Sequence, residues 1–380
     1  MKKVGHIKPL TSLRFVFAFW VFLSHVDHYI NSTTLDLPWI DVLSSIFSEG
    51  YLGVTFFFIL SGFVLALSYQ SKFELGLVDA KEFWIGRFKR IFPLHLLTLI
   101  IAVPFVILGV ETISKAFIQV FNFFINTLMI QSFVPVKGVY FGYNSPAWSI
   151  SNEMFFYLLT PFLLKITTKG NSLFYCLLIL TIVYIMTGYV LPEGYHHALL
   201  YINPVFRLSD FLVGIIVFRF WIKRGSSKDK RISFALETLS LLLFAFVFFL
   251  CRDWPQFLRY SLIYWLPMGL IIYVVSSSAG PLVEILSYRP LVYLGKVSFS
   301  FYLIHLSVIK YTELLYDTLF SDYNTIGIVL FSLIVSVGLS IITYELFEKR
   351  FLRNSYVFLR SLSTKHPYFR LIKRNDSTSS

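Results

Sequence analysis

The chain has 380 residues, of which 56% are hydrophobic, 14% charged and 19% aromatic, and its formal net charge is +12. This composition excludes an ordinary soluble domain and predicts an all-α, polytopic bundle of membrane helices. In a soluble chain the positive charge would suit nucleic acid. Here the cations fall between apolar segments, so no nucleic-acid partner is expected and membrane topology accounts for them. Cys176 and Cys251 form no disulfide framework and no zinc spacing.

Ten spans are predicted, near residues 9–30, 51–69, 91–110, 146–164, 173–191, 201–222, 234–250, 261–277, 291–310 and 325–346. The stretch 113–133 carries Gln119, Asn122, Asn126 and Gln131 on an apolar background and reads as interfacial or membrane-entering. With the N-terminus inside, the inner segments hold 26 Lys and Arg, against five in the outer ones. That asymmetry places both termini in the cytoplasm. Residues 1–350 are then a membrane domain, and 351–380 a basic tail expected to be poorly ordered. The first segment is no signal peptide, because it carries Arg14 and lacks a small-residue cleavage site.

Within that frame the polar residues stand out, because a charge in a membrane helix is costly and usually faces the bundle interior. In the first segment, LTSLRFVFAFWVFLSHVDHYI, Arg14 and His25 are eleven residues apart. That spacing returns them to nearly one helix azimuth, ~16 Å apart along the axis. The bland alternative is a snorkelling Arg and an interfacial His. His25 and His28 share a face, but no third ligand is evident and no metal is expected. Ser61, in YLGVTFFFILSGFVLALSY, has no adjacent base, and Gly62 beside it reads as helix packing. Arg87 and Arg90, in FWIGRFKRIFPLH, share a face just before the third span. They suit either a ligand's phosphates or lipid headgroups.

Further along, PAWSISNEMFFYLLTPFLL supplies Trp148 and Glu153, and Glu153 has no cation in its own span. Paired with His25 it would make a general base, whereas paired with Arg207 or Arg14 it would be structural. RLSDFLVGI adds Arg207 and Asp210, and LVYLGKVSFSFYLIHLSVI adds His305. By depth, His25, Glu153, Arg207, Asp210 and His305 are expected in the outer half of the bilayer, with Arg14 nearer the cytoplasm. Glu345, Glu348 and Arg350, in TYELFEKRF, read as an interfacial ion-pair cluster.

Taken in order, these segments resemble the bacterial membrane acyltransferase family 3 over roughly residues 9–350. The Arg-x10-His opening, the FF-x-LSG stretch, Arg87-x-x-Arg90 with its IxP, the PAWSISNEMFFYLLTP stretch with Glu153, R-x-x-D-F-x-x-G and the closing YLIH and EKR segments carry the likeness. The resemblance implies transfer of an acyl group, usually acetyl from acetyl-CoA, to a carbohydrate hydroxyl. Acceptors it implies are O-antigen, capsule, exopolysaccharide, peptidoglycan or occasionally small molecules, in the bacterial inner membrane. Acetyl-CoA enters as a co-substrate, with no bound cofactor. The expected roles are Arg14, Arg87 and Arg90 on acyl-CoA, His25 as base oriented by Glu153, and Ser61, Trp148, Arg207 and His305 at the acceptor site or supporting it. Many family members append a soluble esterase-like domain; no such sequence follows here, which favours a stand-alone enzyme. A proton-coupled transporter and a lipid-linked glycan flippase or polymerase are the competing classes.

Overall fold

The computed structural model describes residues 7–31, 40–109, 112–166, 171–224, 229–319 and 325–351. Almost all of the basic tail lies outside the described residues. Among the described residues every regular element is helical. The long helices are α1 (Lys8–Asn31), α2 (Leu52–Glu74) and α3 (Ala80–Leu108), then a shorter α4 (Ile113–Thr127). They continue with α5 (Trp148–Ile166), α6 (Ser172–Val190), α7 (Pro204–Arg224) and α8 (Lys230–Leu250). α9 (Trp265–Ser277), α10 (Arg289–Leu319) and α11 (Thr325–Thr343) complete the set. The chain is an all-α membrane helix bundle.

Among the described residues eight helices are long and apolar enough to cross a bilayer. α5 and α7 fall outside that set although they are as long as their neighbours. Ser149, Ser151, Asn152 and Glu153 on α5, and Arg207 and Asp210 on α7, lower their hydropathy. These residues can be polar because α5 packs among α2, α3 and α7, and α7 among α2, α6 and α9, so they face protein. The lipid-facing helices show the opposite pattern. Only 17% of the apolar stretch of α6 and 22% of that of α8 is buried, against 72% for the helices containing α2 and α10. α2 and α10 are therefore the inner walls on which the site is built.

α2 and α7 cross in close contact. A Cβ on Gly62 would overlap the Phe211 carbonyl, and one on Gly214 would overlap that of Ile59. The two glycines remove the side chains that would hold the backbones apart. The α1–α10 crossing uses the same device at Gly295, against the Thr11 carbonyl.

Two boundaries move the candidate residues. α3 begins at Ala80, eleven residues before the expected start. Asp79 and Glu82 form a capping box, with Glu82 N–H donating to Asp79 at 2.7 Å and Asp79 N–H to Glu82 at 3.1 Å. Arg87 and Arg90 thus lie inside a helix, not ahead of one. The second is α5, whose start is sunk into the protein. The preceding Gln131, Ser132, Asn144 and Ala147 are all essentially buried. Gln131 donates to Ala147 O, Ser132 to Trp148 O and Asn144 to Leu303 O. Glu153 is accordingly deeper than a count from a surface start implies.

α4 resolves the ambiguous stretch. Its Asn122 and Asn126 turn inward, while Phe117, Phe121 and Phe124 are exposed. His95 of α3 meets the Asn126 carbonyl at 2.8 Å. At fifteen residues, ~22 Å, it is too short to span, and it docks by its polar face with its apolar face outward.

Candidate functional site

A cavity of about 440 Å³ opens among α1, α2, α3, α5 and α10. Arg14, Arg87, Arg90, Glu153, Ser61 and Tyr157 line it, and Ser149 and Tyr302 close one end. Arg87 is held by aromatics. Its Nη2 donates to Tyr69 Oη at 2.6 Å, and its guanidinium carbon lies 4.9 Å from the Tyr69 ring, 5.6 Å from Phe83 and 5.8 Å from Tyr157. Such stacking fixes the plane of the guanidinium and leaves its other donors to be used. Arg90, three residues on, shares that face of α3 and the same cavity.

Glu153 accepts from Tyr157 Oη at 3.1 Å, and the cations acting on it are Arg14, Arg90 and Arg87. It does not meet His25. The expected imidazole–carboxylate pair is therefore corrected: the sunken start of α5 carries Glu153 down to the arginines. Three cations and one carboxylate, Glu153, thus line the cavity, and Glu348 acts on Arg90 and Arg14 from outside it. The excess positive charge makes the cavity a receptor for an anion, because buried cations are tolerated only with partners.

His25 does not line the cavity. Its ring is 5.2 Å from that of His305, which is 5.9 Å from Tyr302. Tyr302 Oη and Ser149 Oγ are 2.9 Å apart. His305 is fully buried, and its Nδ1 donates to the Phe301 carbonyl at 3.2 Å. A carbonyl only accepts, so the proton is on Nδ1 and Nε2 is an acceptor. The eleven-residue spacing thus puts Arg14 in the cavity and His25 one layer further, both beside α10.

Of the residues expected at the acceptor site or supporting it, Arg207 and Trp148 do not line the cavity. Arg207 is 0% exposed. It donates to Thr55 Oγ1 at 2.7 Å and Tyr260 O at 3.0 Å, pairs with Asp210 at 2.9 Å, and lies between the Phe58 and Tyr201 rings. Asp210 also accepts from Ser261 and from Trp265 Nε1. The pair staples α2, α7 and the residue-260 corner. Trp148 is not an interfacial residue. It packs against Phe58, a cavity wall residue, and Tyr201. Ser61 does line the cavity, and no base is hydrogen-bonded to it. Among the described residues no group of His, Cys, Asp and Glu has the makings of a metal site.

Sequence reasoning missed Tyr157, Tyr302 and Glu348. Tyr157 is four residues after Glu153, and that spacing was a readable signal. Glu345 forms a surface pair with Lys349 at 2.6 Å, a residue outside the expected cluster of Glu345, Glu348 and Arg350. Glu348 turns inward, is 5% exposed, and accepts from Ser300 Oγ at 2.8 Å.

Comparison with known proteins bears on this arrangement. An acyltransferase domain family matches residues 8–345. The acyltransferase MdmB of Streptomyces mycarofaciens is 27% identical over 335 residues, covering 81% of this chain and 80% of that protein. A putative O-acetyltransferase of Staphylococcus aureus, SACOL0978, is 25% identical over 83% of this chain and 52% of its own length. The peptidoglycan O-acetyltransferase OatA of Listeria monocytogenes is 27% identical over 69% of this chain and 45% of its own length. The chain thus spans about half the length of those two O-acetyltransferases. No solved structure matches it. With the family match running from the first helix into the last, the chain belongs to the membrane acyltransferase family 3.

Proposed function

We propose that the protein is an O-acyltransferase of the bacterial inner membrane, moving acetyl from cytoplasmic acetyl-CoA to a carbohydrate hydroxyl. The observation that carries this reading is one cavity lined by three arginines from two helices, at the bundle end where the cations cluster. Arg87 and Arg90 engage the donor's phosphates, for which guanidinium offers directed donors and permanent charge. Arg14 holds the donor deeper in the bundle. The pantetheine arm runs toward Tyr302, and the thioester reacts beside His25.

His25 takes the proton of the acceptor hydroxyl as its oxygen attacks the thioester carbonyl carbon. The tetrahedral intermediate collapses, the C–S bond breaks, and the departing thiolate recovers that proton from His25. His305, with Nε2 free to accept, steadies the imidazole. Glu153 serves the arginines, in place of the orienting role expected of it. A relative named as acting on peptidoglycan supports a cell-envelope glycan as acceptor.

Coenzyme A binding to the purified chain in detergent tests the donor half. Calorimetry is expected to show binding to the wild type and at least about tenfold weaker binding to Arg87→Ala/Arg90→Ala, since each lost contact to a charged group costs about 1.5–3 kcal/mol. Equal affinity in a folded double variant would return these residues to lipid anchoring.

A further inference from the structure

Near its end the last helix passes through a π turn, Tyr344–Glu348, and this turn is where Glu348 leaves the surface pattern. α11 buries Ser332, Ser336 and Ser340 along one face. At about 100° per residue, four α-helical residues overshoot a full turn by about 40°, so a stripe of that spacing drifts around the helix. The wider turn counters the drift and keeps Glu348 on the buried face. It packs there against α3, which carries Arg87 and Arg90, and against α10.

Glu348 does not line the cavity. It is 5% exposed, held by the hydroxyl of the fully buried Ser300, and the cations acting on it are Arg90 and Arg14. A carboxylate in such a place is costly without positive charge nearby, and the packing of this turn on α3 sets Glu348 in the field of these two arginines. Their other carboxylate, Glu153, lies within the cavity. The same two guanidinium groups thus feel one carboxylate inside the cavity and one outside it.

We propose that Glu348 is a positioning residue for the donor site: from outside the cavity it fixes Arg90 and Arg14 so that their remaining donors point at the phosphates of the acyl donor. The inference rests on the donor reading given above. It also assigns the π turn a task, which is to bring a carboxylate from the last helix onto a site built by the first and third.

Glu348→Gln keeps the shape and can keep the bond to Ser300, but removes the charge. It is expected to raise KM for acetyl-CoA about tenfold, to weaken coenzyme A binding equally, and to change kcat less than about twofold. Glu348→Asp, which retains charge, is expected to recover part of the affinity. In an Arg90→Ala background the same Glu348→Gln change is expected to cost less than about twofold, because the shared partner is gone. If Glu348→Gln does not fold, Ser300→Ala carries the test, with KM rising about threefold or more. Unchanged KM and coenzyme A affinity in folded variants, with the wild type binding normally, would overturn the role of Glu348 alone. Failure of the wild type to bind coenzyme A would overturn the donor reading beneath it.

Discussion

Glu153 and His25 are separated by a layer of side chains, and that separates their expected effects. Glu153 touches Tyr157 and faces three arginines; His25 faces His305. Removing a charge from an ion cluster alters how the cluster binds, while removing a base alters the chemistry. Glu153→Gln is therefore expected to act mainly on KM for acetyl-CoA, about tenfold upward, with kcat within about threefold. His25→Ala is expected to lose about 10²–10⁴ in kcat with coenzyme A binding intact. Steady-state kinetics and calorimetry on the two variants read out both. A kcat loss in Glu153→Gln as large as that in His25→Ala would restore the direct pair that the geometry denies. The Arg14–His25 relation was legible from sequence because azimuth along one helix is a local property. The choice between His25 and Arg14 as the Glu153 partner was not, because the depth of α5 is set by the segment before it, whose Gln131, Ser132, Asn144 and Ala147 are buried.

Among the elements, the α2–α7 crossing shows what two of the recurring sequence segments are for. Gly62 belongs to the LSG stretch and Gly214 closes R-x-x-D-F-x-x-G; they meet backbone to backbone at one crossing. The Arg207–Asp210 staple binds the same helix pair near its other end. α2 supplies much of the cavity wall, so this crossing sets the cavity's width. Gly214→Ala has to push α7 away from Ile59. Overpacking of this kind typically costs about 1–3 kcal/mol, and the thermal midpoint in detergent is expected to fall accordingly. An unshifted midpoint would mean that the helices separate at no cost and that the crossing is loose. Hydropathy revealed the helices but underrated α5 and α7, whose polar residues are satisfied by neighbouring helices that a single window does not contain. The start of α3 was written in Asp79 and Glu82. The π turn was not readable, because it changes hydrogen-bond register while leaving apolar periodicity nearly intact.

At the scale of the whole molecule, the arginine cavity and the His25–His305 pair occupy successive layers of one bundle, joined at Tyr302. The proposed activity needs that order, with donor phosphates entering from the cation-rich end and the acceptor hydroxyl meeting the thioester further in. Acetyl-CoA does not cross a bilayer unaided, so the side from which it works reports both orientation and activity. The most direct measurement uses membrane vesicles of defined sidedness containing the protein, supplied with acetyl-labelled acetyl-CoA, with label followed into membrane glycan. Inside-out vesicles are expected to incorporate label, and sealed right-side-out vesicles only after permeabilisation. Incorporation in neither preparation, or equal incorporation from the outer face of sealed right-side-out vesicles, would contradict a cytoplasmic acyl donor in the arginine cavity.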